Sequence, residues 1–364
     1  MNRDATPRQV LVLGAGGRFG AAAAAAFAEA GWRVLAHSRQ PLAGLPAGAL
    51  ALHTSVHDTA SLAAQAQGSF AVVHALNPPY SEWEKQALPL AEAGMALALR
   101  LNARFVLPGN VYAYGRSMPA LLSETTPEAP DTRKGRIRQA IEARMRELQT
   151  QGLHGRVLRA GDFFGSGRGS WFDLCIVRGL RSGRLAYPGP LDVPHAWAYV
   201  PDLARALVRW MEADWANEAK GVHPASVMPP RSSAHFEALH FAGHTLTGRE
   251  LLAAVQAAAG PAPARSWRIG GMPWGVLRAF AWAVPSWREV LEMRYLWQQA
   301  HALDGSRISA ALGQAVPHTP LPQAMTQALA DLGLAAPGRH TGSIPSYRAS
   351  PSAAHSSSPP WSSR

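Results

Sequence analysis

The chain has 364 residues, a formal net charge of +11 and one cysteine, Cys175. That length can bury a large core, and a lone cysteine excludes an internal disulfide and fits a reducing compartment. Lysine occurs only at Lys85, Lys134 and Lys220, so the charge is arginine scattered through an alanine-rich chain. With no zinc-finger spacing or aromatic RNA-binding signature, this gives little ground for a nucleic-acid partner, and the 14 histidines lack metal-ligand spacing.

No signal-peptide apolar region opens the chain; its first apolar run is a short strand. "VLVLG" (10–14) reads as a buried strand and "FGAAAAAAFAEAG" (19–31) as a helix ended by Gly31. A second strand is "RVLAHSR" (33–39), followed by a helix from Asp58 through Gln67 and the strand "FAVVHAL" (70–76). A helix then runs from about Ser81 to Leu101, "RFVLPGN" (104–110) is the next strand, and a helix spans roughly 131–151. "GRVLRAGDFFG" (155–165) is strand and loop, and 166–194 looks like an irregular insertion. "HAWAYVPDLARALVRWME" (195–212) reads as a strand, a turn at Pro201-Asp202 and an amphipathic helix. "TLTGRELLAAVQAAAG" (245–260) is a capped helix, and 265–334 is mainly helical. The apolar stretch from Met272 to Trp287 is broken by Pro273, Arg278 and Pro285 and is too short to span a bilayer. Residues 337–364 are Ser/Pro/Ala/Arg-rich with few core residues and read as a disordered tail.

Alternation of strand and helix predicts an α/β fold, a Rossmann-like doubly wound parallel sheet with a smaller, mainly helical C-terminal substrate part. The nucleotide-binding domain is expected over 8–165, with returning elements at about 195–245, and the substrate part over 166–194 and 246–336.

The loop "GAGGRFG" (14–20) lies between the first strand and the first helix. Gly14 would make the tight turn, Gly17 would let backbone approach a pyrophosphate, and Gly20 would let the helix pack closely. Gly16, Arg18 and Phe19 complete the loop, and the helix N-terminus offers free N–H groups to phosphates. NAD binders usually carry an acid at the end of the second strand. Here stand Ser38 and Arg39, and an arginine can hold a 2′-phosphate through charge-assisted bonds. NADP is therefore the expected cofactor, with NAD open. The alternative is that Arg39 is one surface arginine among many. "NPPYSEW" (77–83) follows the strand at 70–76, where Asn77 and Tyr80 could line the nicotinamide or substrate.

Taken together, the glycine loop, "FVLPGNVYAYG" (105–115), "PDTRKGRIRQAIE" (130–142), "RAGDFFG" (159–165) and "HAWAYVPDLA" (195–204) resemble the extended short-chain dehydrogenase/reductases, the NAD-dependent epimerase/dehydratase family. The resemblance covers roughly residues 8–260 and implies a Rossmann domain with a smaller C-terminal part over the nicotinamide and substrates that are often nucleotide sugars. A cytoplasmic NAD(P)-dependent oxidoreductase is expected, its compartment from the lone cysteine and the lack of a signal region. It places the family's catalytic Ser/Thr at Asn110, its tyrosine at Lys134, its lysine at Arg138 and its glutamate at Glu142. Ser-Tyr-Lys has thus become Asn110-Lys134-Arg138.

Positions 134 and 138 share one helix face, so Arg138 beside Lys134 would favour a neutral lysine able to carry a proton. Asn110 would bond the same substrate oxygen, and Tyr112, with Tyr114, is a reserve donor; strand register puts Tyr112 on the side of Asn110. "RKGRIR" could instead be a solvated turn or an anion clamp. Asp162 and Phe163 would lie beside the cleft, and His195 and Trp197 are either substrate contacts or core. The leading expectation is an enzyme acting on a carbonyl or hydroxyl of a small-molecule substrate, an anion among the candidates. A catalytically silent NADP(H)-binding sensor is the alternative, and a nucleic-acid-linked regulator a weaker third. A homodimer stays open, and no membrane association is expected.

Overall fold

The computed structural model describes residues 8–220, 235–263 and 266–335, apart from the side chains of 219, 220, 285 and 286. The stretch 337–364, read from sequence as a tail, lies outside the described residues. Among the described residues no helix is long and apolar enough to cross a membrane.

The first half alternates as the sequence pattern demands. Strands β1 (Gln9–Leu13), β2 (Arg33–His37), β3 (Leu50–Leu52), β4 (Ala71–His74) and β5 (Arg104–Gly109) are joined through helices α1 (Arg18–Glu29), α2 (Thr59–Gln65) and α3 (Trp83–Leu101). A short β6 (Leu121–Leu122) precedes α4 (Arg133–Leu148), which leads to β7 (His154–Arg159) and β8 (Asp162–Phe164). Then come β9 (Arg184–Tyr187), β10 (His195–Tyr199), α5 (Val200–Lys220), β11 (Phe236–His240) and β12 (His244–Leu246). The remainder is α6 (Gly248–Ala259), β13 (Arg268–Gly271), α7 (Trp274–Phe280), α8 (Pro285–Glu292), β14 (Ala302–Leu303), α9 (Ser306–Leu312) and α10 (Leu321–Asp331).

Seven strands form one parallel sheet in the order β11-β7-β5-β4-β1-β2-β3. Every residue of β1 and β4 is buried, as expected where helices cover both faces. Alternate residues serve the two faces. Leu11, Leu13, Val72 and Phe105 pack towards one core with Met95 of α3 and Met145 of α4. Val10, Val12, Val73 and Val106 pack towards the other with Phe27 of α1 and Leu207 of α5. A third cluster joins Phe164, Tyr187, Trp197 and Trp297 to α6 and α10.

Local chemistry sets the helix ends. Thr132 caps α4 by accepting from the Gly135 N–H at 3.1 Å. Asn102, at φ 49°, ends α3. Thr247 and Glu250 form a capping box at α6. The expected turn at Pro201-Asp202 does not occur: α5 begins at Val200, and Pro201 occupies its first turn, where a missing N–H costs nothing. The expected insertion at 166–194 contains β9, which pairs in parallel with β13 from the region expected to be mainly helical.

Two glycines seat α1. Gly14 has φ +82°, and a Cβ there would stand 2.8 Å from the Ala75 carbonyl oxygen. A Cβ on Gly20 would stand 2.2 Å from the Gly14 carbonyl oxygen, with backbone on both sides and no flexible side chain to yield. Gly20→Ala is therefore expected to cost at least about 2 kcal/mol, within the range for overpacked sites. Thermal melting by circular dichroism checks this, and an unchanged melting temperature would contradict the packing role.

Candidate active site

The C-terminal ends of β1, β4 and β5 open into one cleft of about 870 Å³. It stands where the strand order reverses, with β1 flanked by β2 on one side and β4 on the other.

One wall is the glycine loop. Gly14 and Ala15 donate to the His37 carbonyl at 3.0 and 2.9 Å, which ties the loop to the end of β2. Gly17 caps α1 without any side-chain bond, leaving the first N–H groups of the helix for a ligand. A Cβ on Gly16 would lie 3.0 Å from Ser38 Oγ, so the bare backbone keeps the floor open. Gly14, Gly16, Gly17, Arg18, Phe19, Ser38, Arg39 and Asn77 all line the cleft, as the sequence led us to expect. Gly20 does not: it is buried against Gly14, and its part is to seat the helix. Arg39 is exposed on the rim. These features fit a dinucleotide, with pyrophosphate at α1 and ribose beside Ser38 and Arg39.

The opposite wall carries the chemistry. Asn110 and Tyr112 follow β5, and Arg138 reaches in from α4. Strand β5 ends at Gly109, and Tyr112 sits in a 3-10 turn, so the expected strand register does not extend that far. Both residues nevertheless face the cleft, because Asn110 Oδ1 accepts from the Tyr112 N–H at 3.1 Å and folds the turn back. The Tyr112 hydroxyl lies 3.1 Å from that of Tyr80. Burial, followed by the neighbouring Tyr80, pushes the Tyr112 phenol well above its usual range, and the Arg138 charge opposes this.

Arg138 stacks over Trp83, its carbon Cζ 4.8 Å from the ring centroid. Its Nε is buried without a hydrogen-bond partner, and burial lowers its pKa. Arg18 is its counterpart on the loop: it lies over Phe163, has a buried Nη1 without a partner, and is also lowered by burial. His74, which closes β4, lines the cleft too, and burial followed by Arg138 lowers it to about 3, so it is neutral at working pH.

Two expectations need correction, and one left open is decided. Lys134 does not line the cleft. Its side chain is 1% exposed, and its ammonium is held by Glu289 and, at 2.8 Å, by Glu292 of α8. It sits 5.0 Å from the Tyr80 ring centroid and braces that ring from behind. Arg138 thus does not govern it; two carboxylates do. Tyr114 is not a reserve donor in the cleft either, because its hydroxyl is spent on His240 Nε2 at 2.7 Å and on Arg159. The same Arg159 holds Glu142, the position of the family glutamate. His195 and Trp197 are core: His195 stacks on Trp297 with centroids 4.4 Å apart, and bonds Asp162 at 2.9 Å. Asp162 and Phe163 do reach the cleft.

Sequence reasoning passed over His74, Trp83 and Arg168, which line the cleft, and Glu289 and Glu292, which hold Lys134. Trp83 was legible as the aromatic closing "NPPYSEW". The two glutamates, more than 150 residues from their lysine, gave no signal.

The NAD dependent epimerase/dehydratase family model matches residues 10–222, more than half of the chain, and the chain belongs to that family. The family is one of NAD(P)-dependent enzymes, which bears out both the resemblance and the preference for an enzyme. No curated protein matches the chain by sequence. The fold is similar to L-threonine dehydrogenase from Clostridium difficile, with 15% identity, a TM-score of 0.67, and coverage of 90% of this chain and 98% of that one. It is also similar to UDP-N-acetylglucosamine 4-epimerase from Bacillus cereus, with 14% identity, a TM-score of 0.64, and coverage of 88% and 97%. A third similar structure is dTDP-glucose 4,6-dehydratase from Streptomyces venezuelae, with 18% identity, a TM-score of 0.64, and coverage of 89% and 96%. At these identities the likeness is one of fold.

Removing the Lys134 ammonium leaves Glu289 and Glu292 with the half-exposed Arg133, 2.6 and 3.7 Å away, as their remaining cation, and breaking a buried ion pair typically costs about 3–5 kcal/mol. Lys134→Met is expected to lower the melting temperature sharply while lowering turnover per folded molecule far less than loss of the proton donor would. Thermal melting and active-site-normalised rates test both halves; normal melting with abolished turnover would restore the proton role to Lys134.

Proposed function

We propose that the protein is an NADP(H)-dependent oxidoreductase or epimerase-like enzyme that acts on a carbonyl or hydroxyl group of a small molecule. Its proton carrier is Tyr112. The observation that carries this reading is the Tyr112–Tyr80 hydroxyl pair at 3.1 Å, in the same cleft as the glycine loop and beside Arg138.

The cofactor, when bound, exchanges hydride with the substrate carbon. The chain's own residues handle the oxygen. A phenol held above its usual pKa stays protonated at any working pH, and an alkoxide is more basic than a phenolate. Tyr112 therefore gives its proton to the substrate oxygen as negative charge develops there. The Tyr80 hydroxyl then donates to the phenolate left behind, and the charge of Arg138 offsets it. Asn110, whose Oδ1 is engaged by the Tyr112 N–H, has its amide N–H₂ to offer to the same oxygen. Tyr112 and Arg138 thus divide the work of the family's tyrosine and lysine, from different positions. Members of the fold act on nucleotide sugars, and that class is one source of substrates for this cleft.

Tyr112→Phe is expected to reduce turnover by about 10²–10⁴-fold, the usual weight of a general acid, with NADP affinity nearly unchanged. In the reductive direction the rate should show no basic limb below about pH 10. A raised pKa keeps the donor loaded as the pH rises, so a limb near neutrality would transfer the role to another group. Full activity in Tyr112→Phe would end the proposal. Intact cofactor binding with no hydride exchange on any carbonyl panel would favour the silent sensor.

The preference for NADP rests on Arg39, exposed on the rim with no carboxylate beside Ser38. Arg39→Ala should weaken NADP at least about tenfold and leave NAD little changed, the loss of one charge-assisted contact. Calorimetric titration of both cofactors decides it, and equal affinities for the wild type would count against the preference.

A further inference from the structure

We infer that the substrate carries a carboxylate next to the reacting carbon, and that Arg138 is its seat. The inference deepens the reading above and rests on this cleft holding cofactor and substrate together. Four arginines line the cleft, Arg18, Arg39, Arg138 and Arg168, against one carboxylate, Asp162. That carboxylate is bonded to His195 and its charge acts on Arg18, while among the described residues it makes no ion pair with Arg138. Asp173 accepts from the N–H groups of Gly169 and Ser170, and its charge too acts on Arg18 and not on Arg138.

The arginines divide by position. Arg18 and Arg39 belong to the glycine loop and the end of β2, where the cofactor's phosphates fit. Arg138 stands with Asn110 and Tyr112 at the end of β5, two strands from β1 in the sheet and so about 10 Å away. A pyrophosphate at α1 does not satisfy it. Among the described residues no carboxylate pairs with it, and its Nε is buried without an acceptor. A half-buried guanidinium whose Nε has no acceptor is costly to leave unmatched, and its planar fork matches a carboxylate in a bidentate grip. It lines the same cleft as Tyr112 and Tyr80, so an anion it holds shares that cleft with the oxygen that receives the proton. A nucleotide diphosphate, joined to a sugar whose other ring carbons bear neutral hydroxyls, would not place its charge there. With five N–H donors, Arg138 can grip a carboxylate and still face Tyr112.

The test is calorimetric titration of malonate, malonamide and UDP into the full chain saturated with NADP⁺, so that the cofactor's own anion sites are filled. Malonate should bind and malonamide should not. Arg138→Gln should weaken malonate at least tenfold, and Arg138→Lys, which keeps the charge but loses the fork, should retain part of the affinity. NADP⁺ titration and melting verify that the variants fold. The wild-type comparison of malonate with malonamide decides the matter even if a variant does not fold. No malonate binding, equal binding of malonamide, or unchanged affinity in a folded Arg138→Gln overturns the inference. Binding seen only without NADP⁺ assigns the anion to the cofactor's phosphates, and UDP displacing malonate with loss of both in Arg138→Gln assigns it to a nucleotide; either also overturns it. Tyr112→Phe should bind malonate as the wild type does. Malonate bound with a fully active Tyr112→Phe would therefore sink the proton role alone, and an inactive Tyr112→Phe without malonate binding would sink this inference alone.

Discussion

The whole site hangs on the contact of Gly20 with the carbonyl of Gly14. A helix can bring its N-terminus to the end of a buried strand only if the two backbones touch, and any side chain at either position would hold them apart. Once α1 is seated, its uncapped N–H groups face the cleft, and the turn at Gly14 lies against the chain leaving β4. The cofactor wall and the wall carrying Asn77 and Tyr80 therefore share one fixed edge. Small alanines along α1, buried at Ala21, Ala23, Ala24 and Ala26, serve the same close approach over the rest of the helix.

Two cations one helical turn apart on α4 meet opposite fates. Lys134, in the first turn, falls under α8 and is matched by Glu289 and Glu292. Arg138, a turn further on, falls under the cleft and is matched by an aromatic face alone. Lys134 is taken from water outright and Arg138 in part, which is expensive for any charge. The fold compensates one of them internally. It leaves the other for something that enters, and such an unbalanced charge in a concave site is how affinity for an anion is stored. The position that resembles the family's tyrosine is tied to α8, and the position that resembles its lysine lines the cleft.

The tyrosines follow the same logic of access. Tyr112 and Tyr114 are two residues apart on one short turn. Tyr114 is claimed by Arg159 and His240 within a buried network that also ties Glu142. Tyr112 meets only another hydroxyl, Tyr80. That ring is held on its other side by the Lys134 ammonium. The salt bridge to α8 therefore reaches the cleft indirectly, by fixing the aromatic partner of the proposed proton donor.

The sequence by itself determined the parallel sheet, its switch point and the cofactor loop. These features are local: apolar runs of strand length, alanine-rich helices between them, and glycines whose conformational freedom or lack of side chain is needed where they stand. Arg39 at the end of β2 and Asn110 after β5 were legible for the same reason, because strand order fixes which loop faces the cleft. What only the tertiary structure decided is which of two neighbouring cations reaches that cleft. Spacing along α4 places Lys134 and Arg138 on one face. It carries no record of a helix more than 150 residues later whose two carboxylates capture the first and leave the second. Burial of charge is settled by every element packed around it, and for Lys134 the deciding element was far away in the chain.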